Sequence, residues 1–273
     1  MNNMDFAVLA ITRDNGMLAA AVEIFQTYWP LFWNGIKITL LIALSGTIIG
    51  LAIGLVVGGI RAAAQPDIRD SGAAQVAKRV VLFVTGIYVE VIRGTPMMVQ
   101  AMFLYYALRP VLGWTPIPAG VVIVSINTGA YMAEIVRSGI QSVDRGQTEA
   151  ARSIGMNAGQ TMMLVVLPQA IRNAFPSIGN EFVVNIKDSS VLSVITVSEV
   201  FFAMRMAAGA YVRFFEASVI ACVIYFVMTF TVTRILRYIE RRMDGPENYV
   251  IHGSQTVPAA ELTVRQDLEG GEK

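Results

Sequence analysis

Cysteine and histidine are almost missing from this sequence: Cys222 and His252 each stand alone. One thiol builds neither a disulfide nor a thiolate metal centre within a chain. One imidazole removes most histidine-based metal or acid–base chemistry. Charge is also scarce, at 15% of 273 residues, where an ordinary soluble domain carries roughly 25%. The formal net charge is +1, so no basic excess points to nucleic acid. No G-x-x-x-x-G-K-[ST] stretch occurs, so the chain has no phosphate-cradling loop of that kind. The opening "MNNMDFAVLAITRDNG" lacks the basic region of a cleavable signal peptide, and the first spanning helix is expected to act as its own insertion signal.

What remains is apolar. Hydrophobic residues make up 55% of the chain, and the mean hydropathy is +0.56. Several runs reach the roughly 20 residues that cross a bilayer as a helix, longer than a soluble helical core requires. The expected fold is an all-α polytopic membrane protein with five transmembrane helices. Residues 1–30 mix short apolar pieces with Arg13, Asp14 and Glu23 and end at Trp29 and Pro30; they read as an external or interfacial segment. A transmembrane domain is expected over 31–242, with spans near 31–60, 80–108, 117–140, 171–200 and 214–238. Residues 61–79 and 201–212 read as loops, and 243–273 as a cytoplasmic, disordered tail.

Gly46, Gly50, Gly54 and Gly58 recur every fourth residue in the first span. That stripe lets another helix approach closely, either as a sliding or dimer face or as tight packing within one subunit. Arg61, Arg69, Lys78 and Arg79, then Arg145 and Arg152, then Arg234, Arg237, Arg241 and Arg242 fall in alternate loops. The opposite loops hold Arg109, Arg205 and Arg213, with Arg13 at the N-terminus. Because cytoplasmic loops carry the excess of cations, the N-terminus is expected outside and the C-terminus in the cytoplasm.

The stretch 141–170 then faces the cytoplasm. Its "TEAARSIG" is expected to open a short helix, capped by the Thr148 hydroxyl with Glu149 near the positive end. Ala150, Ala151 and Gly155 keep one side small, and Pro168 is expected to break the following helix. A short, small-faced helix between two spans is a lever that a partner can grip, unless it is a surface loop with no partner.

Here the sequence resembles a known family. Glu149-Ala150-Ala151, Gly155 and Val165-Val166-Leu167-Pro168 match the EAA motif of ATP-binding cassette importer permeases, with Val165 where Ile is usual. The stretches "YVEVIRGTPMMVQ", "NTGAYMAEIVRSGIQSVDRGQTEAA", "LPQAIRNAFPSIGNEF" and "KDSSVLSVITVSEV" narrow the resemblance to polar amino-acid uptake permeases. Met97-Met98 replace a Leu pair, and Ser190-Val191 a commoner Ser-Leu. The resemblance implies a type I importer permease fold in a bacterial cytoplasmic (inner) membrane. It also implies a dimer of ATPase subunits below, a second permease chain that is the same or homologous, and an external solute-binding protein. Arg145, Gly146, Glu149, Ala150, Ala151, Gly155, Leu167 and Pro168 would form the ATPase-coupling segment. ATP and Mg would be used by the partner, leaving this chain no enzyme and without a cofactor of its own.

Charges inside spans usually pair or line a cavity. Glu90 and Arg93, and Glu134 and Arg137, are three apart and can each meet on one helical face; they are either internal struts or pathway groups. Gly94-Thr95-Pro96 loosens the second span. Asn180, Glu181, Asn185, Lys187, Asp188, Ser189 and Ser190 crowd the fourth. These residues offer the acceptors and donors that a zwitterionic amino acid requires, although Lys187–Asp188 also suits a fold-locking pair or a gate. Asn127 and Tyr131 either face the path or bond between helices. The candidate pathway is therefore Glu90, Arg93, Asn127, Tyr131, Glu134, Asn180, Glu181, Lys187, Asp188 and Ser189. The alternative functions are an ion-coupled carrier or channel working without an ATPase, and a purely structural membrane subunit.

Overall fold

The structure is a computed structural model and describes residues 16–64 and 71–244. Every element among them is helical: α1 (Met17–Ala63), α2 (Gly72–Gly94), α3 (Met97–Leu112), α4 (Pro116–Gln141), α5 (Arg145–Ser153) and α6 (Ala158–Thr161). A π-helical turn (Met162–Val166) leads into α7 (Leu167–Asp188), a 3₁₀ segment (Ser189–Ile195), α8 (Val200–Tyr211) and α9 (Phe214–Asp244). Helix is what an apolar chain adopts in lipid, because each backbone polar group must be satisfied within its own segment.

Three helices are individually long and apolar enough to cross a membrane: α1, α4 and α9. Two bent pairs bring the count up to five if each pair is one span: α2 with α3, at 111°, and the helix ending at Ile195 with α8, at 54°. The second span expected over 80–108 is thus broken. Pro96 has no N–H to continue the ladder and disfavours helical backbone at Thr95, which takes φ −124°, ψ 147° as the C-cap of α2.

Other boundaries also differ from expectation. Helix α1 begins at Met17, not near 31, and runs unbroken through Pro30 for 47 residues. At 1.5 Å per residue that is about 70 Å, well beyond the ~30 Å hydrocarbon core. The loop expected over 201–212 is mostly helix α8, and α9 continues to Asp244. Residues 1–15, 65–70 and 245–273, including Arg13, Arg69 and nearly all of the expected tail, lie outside the described residues.

The core is arranged around α1. Its glycine stripe packs against α4 of the same chain: a Cβ at Gly46 would meet Val124, at Gly50 Thr128, at Gly54 Met132 and at Gly58 the Ala133 carbonyl. One buried cluster joins Ile24 and Phe32 of α1 to Val200, Ala203 and Ala207 of α8 and Ala217 and Ile220 of α9. A second joins Ile38 and Ile42 to Ala101 and Tyr105 of α3, Ile123 and Val124 of α4, and Leu192 and Ile195 of the 3₁₀ segment. The outer faces expose large apolar side chains, among them Ile48, Phe83, Phe103, Val111 and Phe226, as surfaces turned to lipid do.

Candidate functional site

The segment between α4 and α7 is a compact knob. Asp144, not Thr148, caps α5: its carboxylate accepts from the Gly146 N–H at 2.6 Å. Thr148 and Glu149 consequently lie inside the helix rather than at its start. The end is set by Gly155, at φ +90°, a conformation that costs a side-chain-bearing residue strain. With Gly155 left-handed, its N–H bonds the Arg152 carbonyl at 3.0 Å and the Met156 N–H bonds Ala151 at 3.2 Å, a Schellman termination. Asn157 and Gln160 then form a reciprocal capping box at 2.9 and 3.0 Å. Arg145, Gly146, Glu149, Ala150 and Gly155 are exposed, Ala151 is buried against the root of the knob, and Ile154 is 79% exposed.

Pro168 does not break a helix, contrary to expectation; it occupies the first turn of α7. The preceding π turn widens the ladder where proline supplies no donor. The knob is rooted at both ends. The Asn173 side chain of α7 donates to Ser142 Oγ at the end of α4, at 2.9 Å. Gly139 of α4 approaches the Ala170 backbone so closely that a Cβ would lie 2.7 Å from its carbonyl oxygen. The two ends of the knob are thus tied to each other through α4 and α7.

The intramembrane charges sort differently from their spacing. Glu134 is a strut: it binds Arg137 at 2.8 and 3.0 Å, and Arg61, 73 residues away at the end of α1, on its other oxygen. Glu90 and Arg93 do not pair; among the described residues no ion pair within 4.0 Å joins them. Arg93 instead stacks on the Tyr131 ring, 5.2 Å from its centroid. Glu181 interacts electrostatically with Arg93 and with Asp188 further along α7, so Arg93 is shared between Tyr131 and Glu181, with Asp188 linked to Glu181 alone. Asn180 is exposed on α7. Lys187 is exposed too and lines a hollow against α9. Ser189 is fully buried and donates to the Ile186 carbonyl at 2.9 Å.

Gln100 and Glu199 were missed in the sequence, and Asn185, named there among the polar residues of the fourth span, was not placed in its actual role. Gln100 of α3 closes the break before it: its amide donates to the Ile92 and Thr95 carbonyls and Thr95 Oγ1, at 2.7, 3.0 and 2.7 Å. Its carbonyl accepts from Asn127 of α4 at 3.0 Å, so Asn127 bonds between helices. Asn185 joins three helices, donating to Thr47 Oγ1 of α1 at 2.8 Å and accepting from Thr128 of α4 at 3.0 Å. Glu199, with no exposed surface, caps α8 through the Phe201 and Phe202 N–H groups at 2.8 and 2.7 Å and accepts from Tyr225 Oη of α9 at 2.5 Å. Glutamate is not among the favoured N-cap residues, so nothing local marks Glu199 as the cap, and no local signal marks the partners of Gln100 or Asn185.

Residues 71–245 match the family described as binding-protein-dependent transport system inner membrane component. The chain is 37% identical over 217 residues to the glutamine transport system permease protein GlnP of Escherichia coli strain K12, covering 78% of this chain and 93% of that one. It is 33% identical over 216 residues to the arginine transport system permease protein ArtQ of Bacillus subtilis strain 168, covering 78% and 93%. Among solved structures, an amino acid ABC transporter determined with histidines is similar at 38% identity and a TM-score of 0.68, covering 80% of this chain and 96% of that chain. The MetNI methionine ABC transporter shares the fold at 18% identity and a TM-score of 0.60, covering 77% and 96%.

Proposed function

Since the chain belongs to the binding-protein-dependent transport system inner membrane component family, we propose that it is the permease subunit of an ATP-driven importer of polar amino acids. It crosses the cytoplasmic membrane five times, with the N-terminus outside and the C-terminus inside. Two copies, or this chain and a homologue, stand above an ATPase dimer that binds and hydrolyses ATP with Mg, and an external binding protein delivers the solute. The observation that carries the reading is the rooted knob: exposed α5, ended by left-handed Gly155 and tied to both α4 and α7. ATPase closure moves Arg145, Gly146, Glu149, Ala150, Gly155 and Ile154; Ala151, Leu167 and Pro168 pass that motion into the spans. The two-state equilibrium of the cavity is then biased through contacts that differ between its states.

For the path we propose Arg93, Tyr131, Glu181 and Asp188, with Asn180 at its margin. Carboxylates there accept from an ammonium group and Arg93 donates to a carboxylate. Glu134, held by two arginines, and the bonded Asn127 and Ser189 act as struts around that path. Glu90 stands exposed at its edge.

Cysteine chemistry tests the reading. With Cys222→Ser as background, Ile154→Cys in the assembled importer should crosslink to the ATPase and react with an impermeant maleimide only from the cytoplasmic side. Labelling from outside alone would overturn both the topology and the coupling role.

A further inference from the structure

A hollow of about 260 Å³ lies between α7 and α9. Its wall carries three cations, Lys187, Arg234 and Arg237, and no carboxylate. All three are exposed, and among the described residues none makes an ion pair within 4.0 Å. Asp188 interacts electrostatically with Lys187 as its chain neighbour but does not line the hollow. Arg234 lies 4.8 Å over the Phe230 ring, and Phe226 and Phe230 complete an apolar side. Thr233 adds a hydroxyl, whereas the Thr229 hydroxyl is spent on the Tyr225 carbonyl at 2.9 Å.

Depth identifies the ligand. Arg234 is twenty residues beyond Phe214 on one continuous helix, about 30 Å at 1.5 Å per residue, the thickness of the hydrocarbon core. On the proposed topology, with α9 entering the membrane near Phe214, the guanidinium groups of Arg234 and Arg237 stand at the level of lipid headgroups, and Lys187 lines the same hollow. Three like charges held together without an acid call for an anion, and the phenylalanine side calls for acyl chains. We propose that this hollow is a binding site for the phosphate of an anionic phospholipid, with its chains along Phe226 and Phe230. Such basic pockets between spans hold anionic headgroups. The site rests on the proposed topology of α9, and it borders the proposed path through Lys187, the chain neighbour of Asp188, but does not require that path to carry solute.

Native mass spectrometry of the full chain in detergent tests this, with phosphatidylglycerol and phosphatidylcholine of identical acyl chains. The wild type should retain phosphatidylglycerol in clear preference. Arg234→Gln and Arg237→Gln should each weaken retention about fivefold, since a juxtamembrane cation contributes about 1 kcal/mol. Arg205→Gln, away from the hollow, should leave it unchanged. Equal retention of the two lipids by the wild type overturns the site without reference to any variant. Undiminished retention in a chain carrying both Arg234→Gln and Arg237→Gln also overturns it, and displacement by millimolar inorganic phosphate overturns the lipid in favour of a soluble-anion site.

Discussion

Replacing Gly54 by alanine drives a methyl group into the backbone of α4. Its Cβ would lie 2.3 Å from Met132 Cβ, 2.7 Å from the Met132 carbonyl carbon and 2.9 Å from Ala133 N. Carbon atoms are at ease near 3.5–4.0 Å, so the helices must part by about 1 Å. Neither neighbour can rotate away, because two of the three atoms are backbone and the third is a Cβ. A gap of that size forfeits roughly a quarter to a half of each dispersion contact along the seam, and dispersion is a main force holding helices together in lipid. Overpacking of this kind costs about 1–3 kcal/mol. Gly59→Ala is the control: nothing lies within 4 Å of its added methyl, and alanine is favoured over glycine in a helix by about 1 kcal/mol. In thermal or denaturant unfolding of the purified chain in detergent, the two variants should therefore shift in opposite directions. If Gly54→Ala is as stable as Gly59→Ala, the seam between α1 and α4 is wrong.

Asn185→Leu removes both bonds that tie α7 to Thr47 and Thr128; with about 0.6 kcal/mol typical per interhelical bond in membranes, a loss of about 1 kcal/mol is expected. In a double-mutant unfolding cycle, Thr47→Val should add little once Asn185 is gone. Gln100→Leu leaves Asn127 without its buried acceptor, which costs about 1–3 kcal/mol; Gln100→Glu, keeping an acceptor but losing the amide donors, should retain part of that stability. Gly155→Ala forces a Cβ onto a residue at φ +90°, a strain of about 1–2 kcal/mol, and amide exchange should quicken over residues 151–156 while the spans stay protected.

The apolar stretches were legible because hydropathy alone marks what lipid accepts, and α4 falls within a residue of its expected limits. The breaks were not. Pro96 announces a lost donor but not an angle of 111°, and that angle is held by Gln100, which local pattern does not single out. Helix α8 was hidden because its 12 residues are too few to cross a bilayer, which takes about 20, so the segment was given to a connection between spans although Ala203, Ala207 and Ala208 face the core. The knob was readable from its small residues, though its true cap, Asp144, stands four residues before the expected one. Spacing of three permits an ion pair but does not choose its partner. Tyr131 draws Arg93 away from Glu90, and Arg61 arrives at Glu134 from a different helix. Asn185 and Thr47 are 138 residues apart, a separation that only the folded helices close.

Uptake by the reconstituted importer reaches the central claim most directly. In proteoliposomes holding this permease, its ATPase and its binding protein, amino-acid uptake should require ATP on the ATPase side. It should fall to background with Glu149→Arg, while that variant still inserts and unfolds like the wild type. Uptake by the permease alone under an ion gradient, or full transport by Glu149→Arg, would contradict the account.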